Sequence, residues 1–136
     1  MNKPLAISMG EPAGVGPDII LALHAQREKL ELPPFCVFGH PGFLEARAAR
    51  LGLSIDIAVT EPENAAPLFG AALPVVAVDG LVPDHPGETS PVSARAVISS
   101  IEAAVEATLT GACGALVTAP IHKGALYHAG FRHPGH

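Results

Sequence analysis

The sequence predicts an α/β fold, a mostly parallel sheet flanked by helices, on three observations. First, short and almost wholly apolar runs recur at residues 5–9, 35–38, 74–78 and 115–118, the pattern of strands buried on both faces. Second, stretches of helical periodicity lie between most of them, so strand and helix alternate along the chain. Third, the joins are short and carry Gly and Pro, which suits right-handed crossovers between parallel strands.

The first run, LAISM at residues 5–9, leads into a turn-rich loop over residues 10–16. Pro17 and Asp18 then open a helix, since Pro suits the first helical position and Asp complements the positive end of the dipole. Ile19, Ile20 and Leu23 are its expected buried face, and it fades near residues 28–32 before Pro33 and Pro34. Phe35 to Phe38 form the second strand. Pro41 starts a second helix that runs to about Leu51, with Gly52 as its cap. Ile55, Ile57 and Val59 alternate, which marks a third strand, half-buried or at an edge. Residues 61–67 read as loop, and a fourth strand over residues 74–78 turns at Asp79 and Gly80. After an irregular loop at residues 83–88, Ser90 is expected to cap a helix with Pro91 at its first position. Val97, Ile101, Ala104, Val105 and Leu109 give that helix an apolar stripe, and Gly111 closes it. The last strand, residues 115–118, breaks at Pro120, and a short helix is expected from Lys123.

Composition narrows the function classes. With 136 residues, 49% of them hydrophobic and 15% charged, the chain can bury one domain's core. A net charge of −5 without any Lys/Arg cluster argues against nucleic acid or an anionic membrane as partner. Residues 1–4 lead directly into strand-like sequence, so no signal peptide is expected, and no apolar run approaches the ~20 residues of a membrane span. Cys36 and Cys113 lack a CxxC spacing and sit in or beside apolar segments, which suits buried thiols in a reducing cytoplasm.

A strand that ends in a polar, proline-broken loop is where open α/β sheets keep their ligands, so residues 114–136 draw attention first. Four of the seven histidines lie there: His122, His128, His133 and His136. Their spacings match no zinc pattern, so no metal site is expected within the chain. His136 or Lys123 as a single contact to an anionic substrate fits the chemistry better. In the first loop, Gly10, Gly14 and Gly16 are spaced GxxxGxG, which is neither a dinucleotide fingerprint nor a phosphate loop. Two readings stand: glycines for a tight strand-to-helix turn, or small residues that let a ligand approach the backbone at a helix N-terminus. Ser8 and Thr118 end their strands as available hydrogen-bonding hydroxyls, and there is no GxSxG elbow. The residues alone describe an α/β domain that binds a small anionic metabolite.

At residues 10–18 (GEPAGVGPD) and 117–136 (VTAPIHKG, then AG and GH) the sequence resembles the 4-hydroxythreonine-4-phosphate dehydrogenase family of vitamin B6 biosynthesis. The resemblance implies a fold like the first domain of isocitrate and isopropylmalate dehydrogenases, with residues 1–136 the N-terminal part of a longer two-domain enzyme. It implies NAD as oxidant, a divalent metal (Zn, Mg or Co), and oxidation followed by loss of CO2 from a phosphorylated hydroxy amino acid. His136 falls on the family's GHT motif, whose histidine contacts substrate; Gly14 and Gly16 resemble glycines near the cofactor. The family's metal-binding histidines and its phosphate-binding Lys, Asn and Arg belong to later sequence, so His122, His128 and His133 match no ligand. His133 also stands where relatives commonly carry an aromatic residue. A cytoplasmic homodimer is implied for the whole enzyme, with the 136-residue portion inactive alone. Related substrates, phosphorylated threonate or erythronate, and a non-catalytic metabolite-binding module are the alternatives.

Overall fold

All five apolar segments become strands. A computed structural model describes residues 3–128 and 130. Among these, the strands are β1 (Leu5–Ser8), β2 (Phe35–Gly39), β3 (Ile57–Val59), β4 (Leu73–Ala77) and β5 (Leu116–Thr118). The helices are α1 (Gly16–Ala25), α2 (Pro41–Arg50), α3 (Ala94–Leu109) and α4 (Lys123–His128). The sheet is parallel throughout, in the order β3-β4-β2-β1-β5. β3 is at an edge, as its alternating sequence predicts, while β2 is buried along its whole length. Pro74 is tolerated in β4 because pairing with β2 starts only at Val75.

Period-two alternation sends Ile7, Val37 and Val75 to one face, where α1 and α2 cover them with Ile20, Leu21, Phe43 and Leu44. Ala6, Cys36 and Phe38 point the other way, against Ala104 and Ala107 of α3. The second face is built from small side chains, so α3 lies close to the strands. Ser100 of α3 is wholly buried there. Its hydroxyl donates to the Phe38 carbonyl and accepts from Met9 N–H at 2.9 Å, filling the gap where β1 and β2 part.

Several sequence expectations are corrected. The buried face of α1 is Ile20, Leu21 and His24, while Ile19 and Leu23 are exposed. His24 is buried because it satisfies backbone groups: Nε2 lies 3.2 and 3.0 Å from the Phe69 and Ala72 carbonyls, so it carries the proton and donates. On α3 the expected stripe stops short, and Leu109 is 81% exposed. α1 ends at Ala25, and residues 61–67 contain 3-10 turns at Pro62–Asn64 and Ala66–Leu68. Ser90 does cap, accepting from Val92 N–H, but Pro91 opens a 3-10 turn (Pro91–Ser93) that only then becomes α3.

The strand order sets the functional edge. From β1 the chain turns toward β2 through α1 on one face; β5, on the other side of β1, is reached by α3 across the opposite face. The loops after β1 and β5 therefore diverge from the switch point of the sheet, where ligands of open α/β folds bind.

Candidate functional site

The first wall of this edge is the loop over residues 10–16. Gly10 has φ +77, and a Cβ there would stand 2.7 Å from the Ala119 Cβ and 2.8 Å from the Pro120 carbonyl oxygen. Only glycine fits. Gly16 is also crowded, with a Cβ position 3.1 Å from Ala119. Gly14 differs: a Cβ there would meet Glu11 at ordinary contact distances, 3.5 Å or more, and the residue is half-buried. The loop is then tied to itself and to the neighbouring loop. Glu11 N–H donates to the Pro120 carbonyl, Gly14 N–H to the Glu11 carbonyl, and Ala13 N–H to the Glu11 carboxylate at 3.1 Å. Glu11 is only 6% exposed.

Arg47 holds the same loop from below. This side chain is 1% exposed, on the covered face of α2 between Leu44 and Ala48. Its Nη2 donates to the Pro12 carbonyl, and its Nη1 to Asp18 at 2.6 Å and to the Gly14 carbonyl at 3.4 Å. Its Nε donates to Asp84 at 2.8 Å, and Arg50 donates to the other Asp84 oxygen at 3.0 Å. The guanidinium also lies 5.0 Å from the Phe43 ring centre. Burial by itself would lower the Arg47 pKa, but hydrogen bonds to Asp18 and Asp84 outweigh it and the net shift is upward. Asp84 shows the converse: burial opposes ionisation, yet Arg47 and Arg50 hold its carboxyl below the usual range. Gly87 N–H donates to the Ala13 carbonyl, so the loop carrying Asp84 closes on the first loop as well.

The second wall follows β5. Ser8, wholly buried, accepts from Ala119 N–H at 3.3 Å and joins the two strand ends. His122 caps α4, its Nδ1 accepting from Ala125 N–H at 3.0 Å, which leaves Nε2 protonated and turned outward. Lys123, the first residue of α4, is exposed, as is Thr118. Leu126 fixes this helix by packing on Ala94 and Val97 of α3. His40 caps α2 the same way at the end of β2.

The predicted site residues separate accordingly. Gly14 and Gly16 stand together in the first wall, and His122 and Lys123 in the second. His133, His136 and the His128 side chain lie outside the described residues. Among the described residues no three His, Cys, Asp or Glu side chains gather to hold a metal ion. The loop at the N-terminus of the ten-residue α1, half-buried at Gly14 and exposed at Val15, does fit a ligand that approaches backbone. Cys36 and Cys113 are buried with sulfurs 3.9 Å apart, and burial pushes both thiols up, Cys36 strongly. They are inert packing groups. Sequence reading missed Arg47 and Asp84. An arginine in register with Phe43, Leu44 and Ala48 was the available signal; nothing announced Asp84 as its partner.

Fold and site together define a class: an open, parallel α/β domain that presents a preformed glycine loop at the switch point of its sheet. The chain belongs to the family described as pyridoxal phosphate biosynthetic protein PdxA, which residues 31–136 match. It is 44% identical, over 99% of its length, to the 4-hydroxythreonine-4-phosphate dehydrogenase of Methylorubrum populi, and 46% identical, over 98%, to that of Xanthobacter autotrophicus. It spans 39% and 38% of the length of these curated relatives. The crystal structure of the Klebsiella pneumoniae enzyme of that name superposes with a TM-score of 0.84 at 30% identity, covering 98% of this chain and 42% of that one. A terephthalate 1,2-cis-dihydrodioldehydrogenase from Burkholderia xenovorans gives a TM-score of 0.70 at 25% identity, covering 97% and 38%. The relatives are dehydrogenases, and the family is one of pyridoxal phosphate biosynthesis. No described helix is long and apolar enough to cross a membrane.

Proposed function

We propose that the polypeptide carrying this chain is an NAD-dependent dehydrogenase that oxidises, with decarboxylation, 4-hydroxythreonine 4-phosphate in vitamin B6 biosynthesis. On this reading residues 1–136 are the N-terminal part of a two-domain cytoplasmic enzyme that works as a homodimer. The observation that carries it is the tied-down glycine loop at the switch point, exposed at Val15, in a chain whose relatives bear that enzyme's name. NAD, when bound, takes up the hydride from the carbinol carbon. The first loop would bring backbone against the cofactor at Gly14, with Gly16 keeping the turn close on Ala119, and the N-terminus of α1 favours negative charge there. His136 contacts the substrate, and Lys123 stands exposed at the mouth of the second wall as a further cation for an anionic group. The divalent metal, Zn, Mg or Co, would take its ligands from later sequence, as the family resemblance implies.

The test is NADH formation by the full-length protein, followed by absorbance, on 4-hydroxythreonine 4-phosphate beside phosphorylated threonate and erythronate. The reading expects the first to give the highest kcat/KM and the 136-residue chain to give no turnover. A higher kcat/KM on either acid would reassign the substrate. Binding without turnover on all three would favour a metabolite-binding module.

A further inference from the structure

The glycine loop is held by a residue that lies outside both sequence motifs. We propose that Arg47 is a positioning residue for the cofactor wall: it fixes the peptide planes of residues 12–15 so that the outer side of the loop is ready to receive NAD. The inference rests on the reading of that loop as the cofactor wall and adds the device that shapes it.

The geometry is specific. Three consecutive carbonyls, those of Pro12, Ala13 and Gly14, are turned inward, the outer two by Arg47 and the middle one by Gly87 N–H. In a trans peptide the N–H points opposite to the carbonyl, so drawing the Gly14 carbonyl toward Arg47 turns Val15 N–H to the other side of the loop. The loop meets solvent at this point: Val15 is 63% exposed and Gly14 half-buried. Asp18, bonded by the same guanidinium, ties the start of α1 to this arrangement. Asp84 orients Arg47 from behind without touching the first loop. A lysine would keep the charge, but as a single point donor it could not span Pro12, Gly14, Asp18 and Asp84 together.

Full-length Arg47→Lys and Asp84→Asn variants test this, with circular dichroism confirming that each is folded. NAD affinity is measured by calorimetry without substrate, and amide hydrogen exchange is followed without ligand. Arg47→Lys is expected to weaken NAD binding by about tenfold or more and to speed exchange at residues 11–16, while β2 exchanges as before. The kcat at saturating NAD should change by less than about threefold, because the reacting groups are untouched. Asp84→Asn should produce the same pattern, more weakly. The proposal is overturned if Arg47→Lys binds NAD within about twofold of the parent. It is equally overturned if exchange rises uniformly over the sheet, the mark of a merely structural role. Should the parent protein bind no NAD, the functional reading fails instead, while exchange at residues 11–16 still decides whether Arg47 holds the loop.

Discussion

The loop after β1 and the segment after β5 meet at the same edge of the sheet, but they are built on different principles. The first is short, glycine-rich and tied on every side: to Pro120 by Glu11, to itself through the Glu11 carboxylate, to α2 by Arg47, and to the loop at residues 83–88 through Gly87. The second has a buried start at Ser8 and Ala119, then a histidine cap and an apolar anchor of Leu126 and Ile121 on α3, while Thr118, His122 and Lys123 are exposed. One wall is finished within this chain. The other, on the proposed reading, carries the substrate-contacting side chains, and its described polar residues are exposed.

The largest expected effect comes from removing the clamp of the first wall. Arg47→Ala leaves Asp18 and two carbonyls without this donor and Asp84 with Arg50 alone, and should cost about 3–5 kcal/mol in urea denaturation. A loss below about 1 kcal/mol would show that the loop stands without it.

Next comes a contrast inside the loop. Gly10→Ala must force a Cβ into Ala119 and the Pro120 carbonyl at φ +77, for roughly 2–4 kcal/mol. Gly14→Ala meets no such contact and should change stability by less than about 0.5 kcal/mol while weakening NAD binding. Equal stability losses at the two glycines would erase the distinction between a structural and a ligand-facing residue.

Acid should act in two stages. Burial, then Arg27, lowers the His24 pKa below 6.5, against the carbonyl contacts of Phe69 and Ala72, which raise it. The unfolded chain therefore takes up a proton that the folded one resists, and stability is full above about pH 6.5 and falls below it. Among the described residues the buried Nδ1 of His24 has no hydrogen-bond partner, so a proton added there would go unpaired. Asp84 has its pKa lowered from 3.8, so its contribution is present above that value and is lost as pH falls through the lower one. His24→Gln should flatten the first stage and leave the second. An unchanged profile between pH 6.5 and 5 would remove His24 from the account.

The smallest effect is expected in the second wall. His122→Ala removes a cap from a six-residue helix and should cost about 1 kcal/mol or less, confined to α4.

The alternation of strand and helix was legible because parallel strands buried on both faces need unbroken apolar runs, and residues 35–38 are such a run. The edge position of β3 was legible for the complementary reason. Helix faces were harder. Hydropathy placed Ile19 and Leu23 inside α1 and could not foresee His24, which is buried by two carbonyls and not by oiliness. The glycine loop could be found, but its three glycines could not be told apart until Ala119 and Pro120, over 100 residues away in sequence, were brought against two of them. The Arg47 clamp joins residues 29 to 37 positions apart, beyond any local pattern. His136, the strongest substrate candidate in the sequence, lies outside the described residues and keeps the standing the motif gives it.

The most direct measurement is amide hydrogen exchange on the full-length protein without ligand, comparing Glu11, Ala13 and Gly14 with the amides of α4. A first wall finished by the chain's own contacts predicts slow exchange at those three positions before any NAD is added, and faster exchange in α4. Fast exchange at Glu11, Ala13 and Gly14 that slows only when NAD is present would contradict it, for the loop would then be organised by its ligand.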